Sequence, residues 1–260
     1  MTTVIVPVDF SDTSLHAARY AAQLLVGHYG VTLVLYHSYS KAAEAATVTE
    51  NLGKLKADLT KAYIVQVEIL AHEEDDFVEG LERAACHRRA DMVIMGITGK
   101  SSLALMFGSN TLKMAETKVC PVLIVPEEAP FTPVKNVMLT SDFKDTLNTT
   151  PSVPIKNILD AFLPKLHIVN VDKDHYISLT EDYENEKQEL KRLFADYHPE
   201  FYFMRLYDID EALNLFAEDR NIDLIITIQK NASFIEKLFK TNRTKKLSYQ
   251  SKIPILVIHE

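Results

Sequence analysis

Short β-branched runs alternate along the chain with longer segments whose apolar residues recur at helical spacing. Residues 3 to 8 (TVIVPV) have the composition of a buried strand. After Asp9-Phe10-Ser11-Asp12, the positions Leu15, Ala18, Ala22 and Leu25 follow a helical period until Gly27 stops them. A second strand is predicted at Val31 to His37, an exposed helix within the polar, alanine-rich segment Lys41 to Lys61, and a third strand at Tyr63 to Leu70. Phe77, Leu81, Ala84 and Ala85 mark the next helix, Asp91 to Met95 the fourth strand and Pro121 to Val125 the fifth. Strands that alternate with helices require crossover connections, so the expected fold class is α/β with a mainly parallel sheet covered on both faces.

The pattern then starts again. Glu127 to Val134 carries two prolines and reads as a linker between a domain at 1–128 and a second at 135–260. Val4 to Phe10 matches Val137 to Phe143 at an offset of 133 residues, and Leu33 to His37 matches Leu166 to Asn170 at the same offset. Ala90 to Ile94 matches Ile222 to Ile226 at 132, and Pro121 to Val125 matches Pro254 to Ile258 at 133. Four matches in register across the whole half imply an internal duplication.

Composition narrows the function. The formal net charge is −8, with 11 basic against 16 acidic residues up to position 130 and 17 against 20 after it, so neither half has the basic footprint of a nucleic-acid binder. No apolar run reaches the length of a membrane span, and the N-terminus goes straight into a strand, which leads to the expectation of a cytoplasmic protein. Cys86 and Cys120 sit in apolar patterns without metal spacing and read as reduced core residues.

Glycine is the informative residue. All seven glycines lie at or before position 108, and three of them, Gly96, Gly99 and Gly108, fall between the fourth strand and a helix expected to start near Ser109-Asn110-Thr111. Glycine lets backbone N–H groups approach an anion, and a helix N-terminus adds partial positive charge and unpaired donors, so this segment suits a phosphate. It is neither a Walker A loop nor GxGxxG.

Both halves resemble universal stress protein domains, on Pro7-Val8-Asp9-Phe10-Ser11 after the first strand and Gly96-x2-Gly99-x8-Gly108-Ser109 after the fourth. Nucleotide-binding members of that family carry Gly-x2-Gly-x9-Gly-Ser/Thr, one residue longer than the segment here. The resemblance implies two tandem doubly wound (Rossmann-like, HUP-type) domains, each a five-stranded parallel sheet of order 3-2-1-4-5 flanked by helices. It also implies an adenine nucleotide, ATP or AMP, with any Mg2+ carried by the phosphates, and a role in stress response or signalling. Asp9 would contact the ribose or phosphate region, and backbone around Pro7 and Ser38 would face adenine. Backbone N–H groups from Gly99 to Asn110, with the Ser109 hydroxyl, would hold phosphates. The full set implied for the nucleotide is Pro7, Val8, Asp9, Ser11, Ser38, Met95, Gly96, Gly99, Lys100, Gly108, Ser109 and Asn110.

Blander readings stand beside these. Asp9 to Asp12 would equally satisfy an acidic helix cap, Lys100 a solvated loop lysine and His37 a strand end. Asp91 precedes the fourth strand, at the opposite edge of the sheet from Asp9, so the two cannot act as a pair. The Cys86-His87 neighbours point apart on a helix, which favours a buried thiol over a nucleophile. No catalytic residue or metal ligand is assigned. The alternatives to a binding module are a slow ATP hydrolase or phosphotransferase, for which no base, second carboxylate or loop arginine is present, and a ligand-free scaffold. A response-regulator receiver needs a phosphorylatable Asp after strand three and a Lys after strand five, and both are missing.

The second half departs from the pattern. Ile228 to Phe234 and Lys240 to Arg243 replace the glycine segment, and Pro151 and Pro154 interrupt the first helix, while Asp142 survives. This half is expected to be a degenerate copy that has lost the ligand. Strand five is apolar and uncharged in each half, and pairing of the two fifth strands in an intrachain pseudo-dimer would remove two exposed edges. A further homodimer is left open.

Overall fold

A computed structural model describes residues 1–97, 104–170, 181–204, 209–229 and 252–260, with side chains described in all of these except 104–109 and 209–212. The chain divides into two compact units, Met1–Phe131 and Thr132–Glu260.

In the first unit the strands are β1 (Thr3–Pro7), β2 (Thr32–Tyr39), β3 (Gln66–Glu73), β4 (Met92–Ile97) and β5 (Val122–Pro126). The helices are α1 (Asp12–Leu24), α2 (Ala45–Ala62), α3 (Phe77–Arg88) and α4 (Ala104–Glu116). The strands are all parallel, in the order β3-β2-β1-β4-β5. Passing from β1 to β3 the chain steps one way across the sheet, and from β3 to β5 it steps back. Crossovers are right-handed, so this reversal places α1 and α2 on one face and α3 and α4 on the other. Buried Val4, Ile5 and Val6 of the central strand lie between these layers.

One strand boundary, the exposure of one helix and one residue differ from expectation. The third strand starts at Gln66 rather than Tyr63. Tyr63 still donates its N–H to Leu59 as the chain leaves α2, Ile64 is exposed, and ladder pairing opens at Gln66 opposite Thr32. The segment read as an exposed helix buries a stripe of Val48, Leu52, Leu55 and Leu59 against the sheet. Cys86 is exposed, which corrects the core assignment: Leu81, Ala84 and Ala85 form the buried stripe of α3, and the next residue is turned about 100° beyond it. Cys120 is buried, and that burial pushes its thiol up to about 12.

The second unit has β6 (Asn136–Ser141), β7 (Lys165–Asn170), β8 (Glu200–Phe203), β9 (Leu224–Gln229) and β10 (Ile255–His259). Its helices are α5 (Thr146–Thr149), α6 (Ser152–Phe162), α7 (Glu181–Leu193) and α8 (Ile209–Asp219). The sheet order β8-β7-β6-β9-β10 is again all parallel and repeats that of the first unit. The single helix α1 is here broken into α5 and α6 at Thr150-Pro151, where proline lacks the N–H that would continue the ladder. Glu186 of α7 accepts from the Thr146 N–H and hydroxyl at 2.8 and 2.6 Å, anchoring the start of the short α5.

One device is duplicated at the amino edge of both sheets. Asp91 Oδ2 accepts the N–H groups of Thr2 and Thr3 at 2.6 and 3.0 Å, and Asp223 Oδ2 accepts those of Lys135 and Asn136, both at 2.9 Å. Each carboxylate thereby ties the first strand of its unit to the fourth. Burial alone would raise the Asp91 pKa, but the two N–H groups, the nearby chain terminus and the Thr2 hydroxyl hold it below the ordinary carboxyl value. Its contribution to stability is therefore complete above the unfolded-chain pKa and is lost as pH falls through the lowered folded value. Asp91→Ala should cost about 1–3 kcal/mol in urea unfolding at neutral pH. That difference should shrink in strong acid, and a gap unchanged with pH would count against the clamp.

Candidate functional site

The carboxyl ends of β1, β2 and β4 bring the candidate residues to one edge of the first sheet, where open parallel sheets place their ligands. Pro7 ends β1 and is buried. Val8 follows it at 2% exposure, its N–H donating to the Tyr36 carbonyl at 2.8 Å. The Val8 carbonyl lies 2.5 Å from His37 Nδ1, and since a carbonyl only accepts, that nitrogen carries the proton. The His37 ring also stands 5.2 Å from that of Phe10, so His37 braces the turn after β1. Phe10 itself adopts a left-handed backbone conformation with φ 64°.

Asp9 is exposed and shapes the start of α1. Its Oδ1 accepts the Ser11 N–H at 3.0 Å and the Ser11 hydroxyl at 2.5 Å, while its own N–H donates to Ser14 Oγ at 3.3 Å. Ser11 is the N-cap residue, its Oγ accepting the Ser14 N–H at 3.2 Å. Burial taken alone raises the Asp9 carboxyl, yet the hydrogen bonds from Ser11 and Ser14 outweigh it and keep the pKa below the ordinary value. The group is thus an anion at neutral pH, with one oxygen engaged within the turn.

Ser38 is half-buried near the end of β2, and Met95 is buried in β4 beside Gly96. Gly96 has a role that its place in a glycine-rich segment does not reveal. A β-carbon there would stand 2.6 Å from both Cγ2 and the carbonyl oxygen of Thr13, so the first turn of α1 packs directly on the glycine. The Gly96 carbonyl in turn accepts the hydroxyl of buried Thr111 of α4 at 3.0 Å. Gly96 joins two helices to the carboxyl end of the central strands. Thr13 and Ser14 were missed in the sequence as parts of this edge. Ser14 stands three residues after the N-cap, where a capping side chain finds its N–H, and that is the local signal for it, but no local pattern points to Thr13.

Helix α4 begins at Ala104, five residues before the expected start. Gly108, Ser109 and Asn110 are consequently helical residues and not a loop ahead of the helix. Ala104, Leu105 and Met106 are good helix formers, and their propensity outweighs the cap-like look of Ser109-Asn110. The N–H groups that a helix leaves unpaired are those of its first turn, so the anion-binding donors of α4 belong to residues nearer Ala104. Gly99 and Lys100 lie outside the described residues, as do residues 230–251, which include most of the corresponding segment of the second unit. Among the described residues no three of His, Cys, Asp and Glu form a metal-binding group, and no helix is long and apolar enough to cross a membrane.

Residues 1–126 match the model of the Universal stress protein family. A universal stress protein of Thermus aquaticus is 28% identical over 134 residues, which cover 47% of this chain and 97% of that protein. One from Methanocaldococcus jannaschii is 26% identical over 136 residues, covering 47% of this chain and 80% of that protein. Over nearly the whole length the chain is similar in fold to a solved universal stress protein structure from Archaeoglobus fulgidus, with a TM-score of 0.66 and 16% identity. That match covers 99% of this chain and 96% of the other.

Proposed function

With residues 1–126 matching the Universal stress protein family model, we propose that the first unit is a cytoplasmic stress-response or signalling module that binds one adenine nucleotide, ATP or AMP, at the carboxyl edge of its sheet. The observation that carries this reading is the convergence of Asp9, Ser38 and Gly96 on that edge, beside the strand β4 to helix α4 connection that holds Gly99 and Lys100. Asp9 would face the ribose or phosphates with its free oxygen, backbone at Pro7, Val8 and Ser38 would line the base, and Met95 would floor it. The Gly99 backbone, the unpaired N–H groups at the start of α4, the Lys100 charge and the Ser109 and Asn110 side chains would meet the phosphates, which would bring any Mg2+ with them. Ser11 keeps Asp9 in place. Mass spectrometry of small molecules released from the purified, denatured protein tests the reading, and recovery of an adenine nucleotide in near-stoichiometric amount is the expected result.

Bound nucleotide should turn over slowly or not at all. Among the described residues the polar groups engaged with Asp9 are the Ser11 N–H and hydroxyl and the Ser14 hydroxyl, none of which can serve as a base for water. Donors around phosphates still give some electrostatic help, so a low rate is compatible. A magnesium-dependent turnover near about 10 per second, abolished in Asp9→Asn, would replace this reading with that of an ATP hydrolase.

The apolar, uncharged fifth strands, residues 121–125 and 254–258, motivate the further proposal that they pair with each other in an intrachain pseudo-dimer. Separately expressed halves should associate in solution, and Leu123→Lys or Leu256→Lys should weaken that association. Halves that are folded, soluble and indifferent to each other would exclude it.

A further inference from the structure

In the second unit the strand order reverses between β6 and β9, and the carboxyl edge beside that reversal, where an open parallel sheet takes its ligand, also carries the ends of β6 and β7 at Ser141 and Asn170. Asn170 is fully buried. Its Nδ2 donates to the Ser141 carbonyl at 3.3 Å, while its Oδ1, equally buried, has no partner among the described residues. Native structures rarely leave such an acceptor unpaired without a reason, and what it lacks is a donor.

The surroundings say what kind of molecule would bring that donor. Phe203 of β8 is the register partner of Asn170, and Phe201 lies two residues before it on the same face. The ring of Phe143, in the turn after β6, stands 5.6 Å from Phe203, 6.1 Å from Phe201 and 5.2 Å from Tyr183 of α7. Tyr183 and Phe203 are themselves 5.5 Å apart. These are distances at which aromatic rings stack or meet edge to face. This unit contains no glycine with which to approach a phosphate.

The aromatic filling belongs to this unit and not to the repeat. In the first unit the residue opposite His37 on β3 is Ala71, and the half-buried Phe10 has His37 as its ring neighbour. Phe143 is only 2% exposed; its left-handed backbone conformation, at φ 53° and costly for a bulky side chain, is shared with its repeat counterpart Phe10, but the buried ring is not. A change of φ at Phe143 would relieve that strain and withdraw the ring.

We propose that the carboxyl-edge crevice of the second unit is a site for a planar aromatic ring bearing an N–H donor, closed by the chain's own Phe143, with Asn170 Oδ1 as the acceptor that reads the donor. An incoming ring replaces that of Phe143 among Tyr183, Phe201 and Phe203, and its N–H completes the Asn170 amide. Because Phe143 competes for the same space, apparent affinity is reduced by the fraction of time the ring is withdrawn. The site makes no use of Asp9 or the glycine segment and stands or falls separately from nucleotide binding in the first unit.

The test uses indole and benzofuran, which share a shape but differ in the N–H, on the full-length protein by NMR titration. Phe143→Ala should bind indole at least about tenfold more tightly than the unmodified chain, and benzofuran about fivefold more weakly than indole. Adding Asn170→Leu should abolish that difference while leaving ring binding in place. Phe203→Ala opens the same space from β8 and serves if Phe143→Ala does not fold. A folded variant that fails to bind indole overturns the proposal. So does equal binding of indole and benzofuran, which would make the crevice apolar packing alone, or a preference that survives Asn170→Leu, which would place the donor elsewhere.

Discussion

Replacing Gly96 with valine is expected to cost the first unit about 3 kcal/mol, at the upper end of what overpacking usually does. The first added carbon already collides with Thr13, at 2.6 Å from both its methyl group and its carbonyl oxygen. The methyl can rotate away, but the carbonyl belongs to the first turn of α1, and moving it means moving the helix off β4. Thr13→Ala should therefore recover only a part of the loss. Gly53 supplies the contrast. It sits inside α2 with nothing within 4 Å of a β-carbon, and Gly53→Ala should stabilise by about 0.5–1 kcal/mol because alanine loses less backbone entropy in a helix. Urea midpoints of the three variants check the account. A Gly96→Val protein as stable as its parent would mean that the contact between α1 and β4 yields easily.

Titration calorimetry of the full chain with ATP is expected to give one site per chain, lost when Gly99→Val and Gly108→Val are combined. All seven glycines lie in the first unit, and the start of α4, with its unpaired N–H groups and partial positive charge, follows β4 at the carboxyl edge. A branched side chain at Gly99 should hold phosphates away from the backbone, and one at Gly108, inside α4, should crowd them by its bulk. Asp9→Ala should weaken binding roughly tenfold or more, as the loss of a charged hydrogen-bonding group does. It also removes the acceptor for the Ser11 N–H and hydroxyl, so stability must be followed in parallel. Two equivalent sites per chain, or affinity indifferent to the paired glycine replacements, would end the nucleotide reading in its present form. Gly96 is unsuited to this test, since its replacement disturbs packing before it disturbs any ligand.

The parts of the site legible in the sequence are those that local chemistry marks. The Asp9 to Ser11 turn shows because a strand run breaks into residues that cap helices, and the structure finds Ser11 capping α1 with Asp9 bracing it. The glycine segment shows because glycine is scarce elsewhere. Where two local signals compete, the sequence alone misleads. Tyr63, Ile64 and Val65 have strand composition, but the chain there is still closing α2. Ser109 and Asn110 look like a helix start, yet Ala104 to Met106 carry the helix ahead of them. Cys86 sits in an apolar pattern whose buried stripe turns away from it by a single residue.

The alternation of strand and helix, the duplication at offsets of 132 and 133, and the loss of glycine after position 108 are all properties of order along the chain, and the sequence alone determined them. The parallel pairing of the strands follows that alternation, because parallel neighbours need crossovers, whereas the strand order was implied only by the family resemblance. Tertiary structure decided which distant groups meet. Thr13 reaches Gly96 and Thr111 holds its carbonyl, Asp91 takes the N–H groups of residues 88 and 89 positions earlier, and Phe143 enters a ring cluster drawn from α7 and β8. A periodic pattern tells each residue which face it occupies, but distances of a few ångströms between elements arise only when whole layers pack. The chemistry of Gly96, Asp91 and Asn170 is settled at that scale.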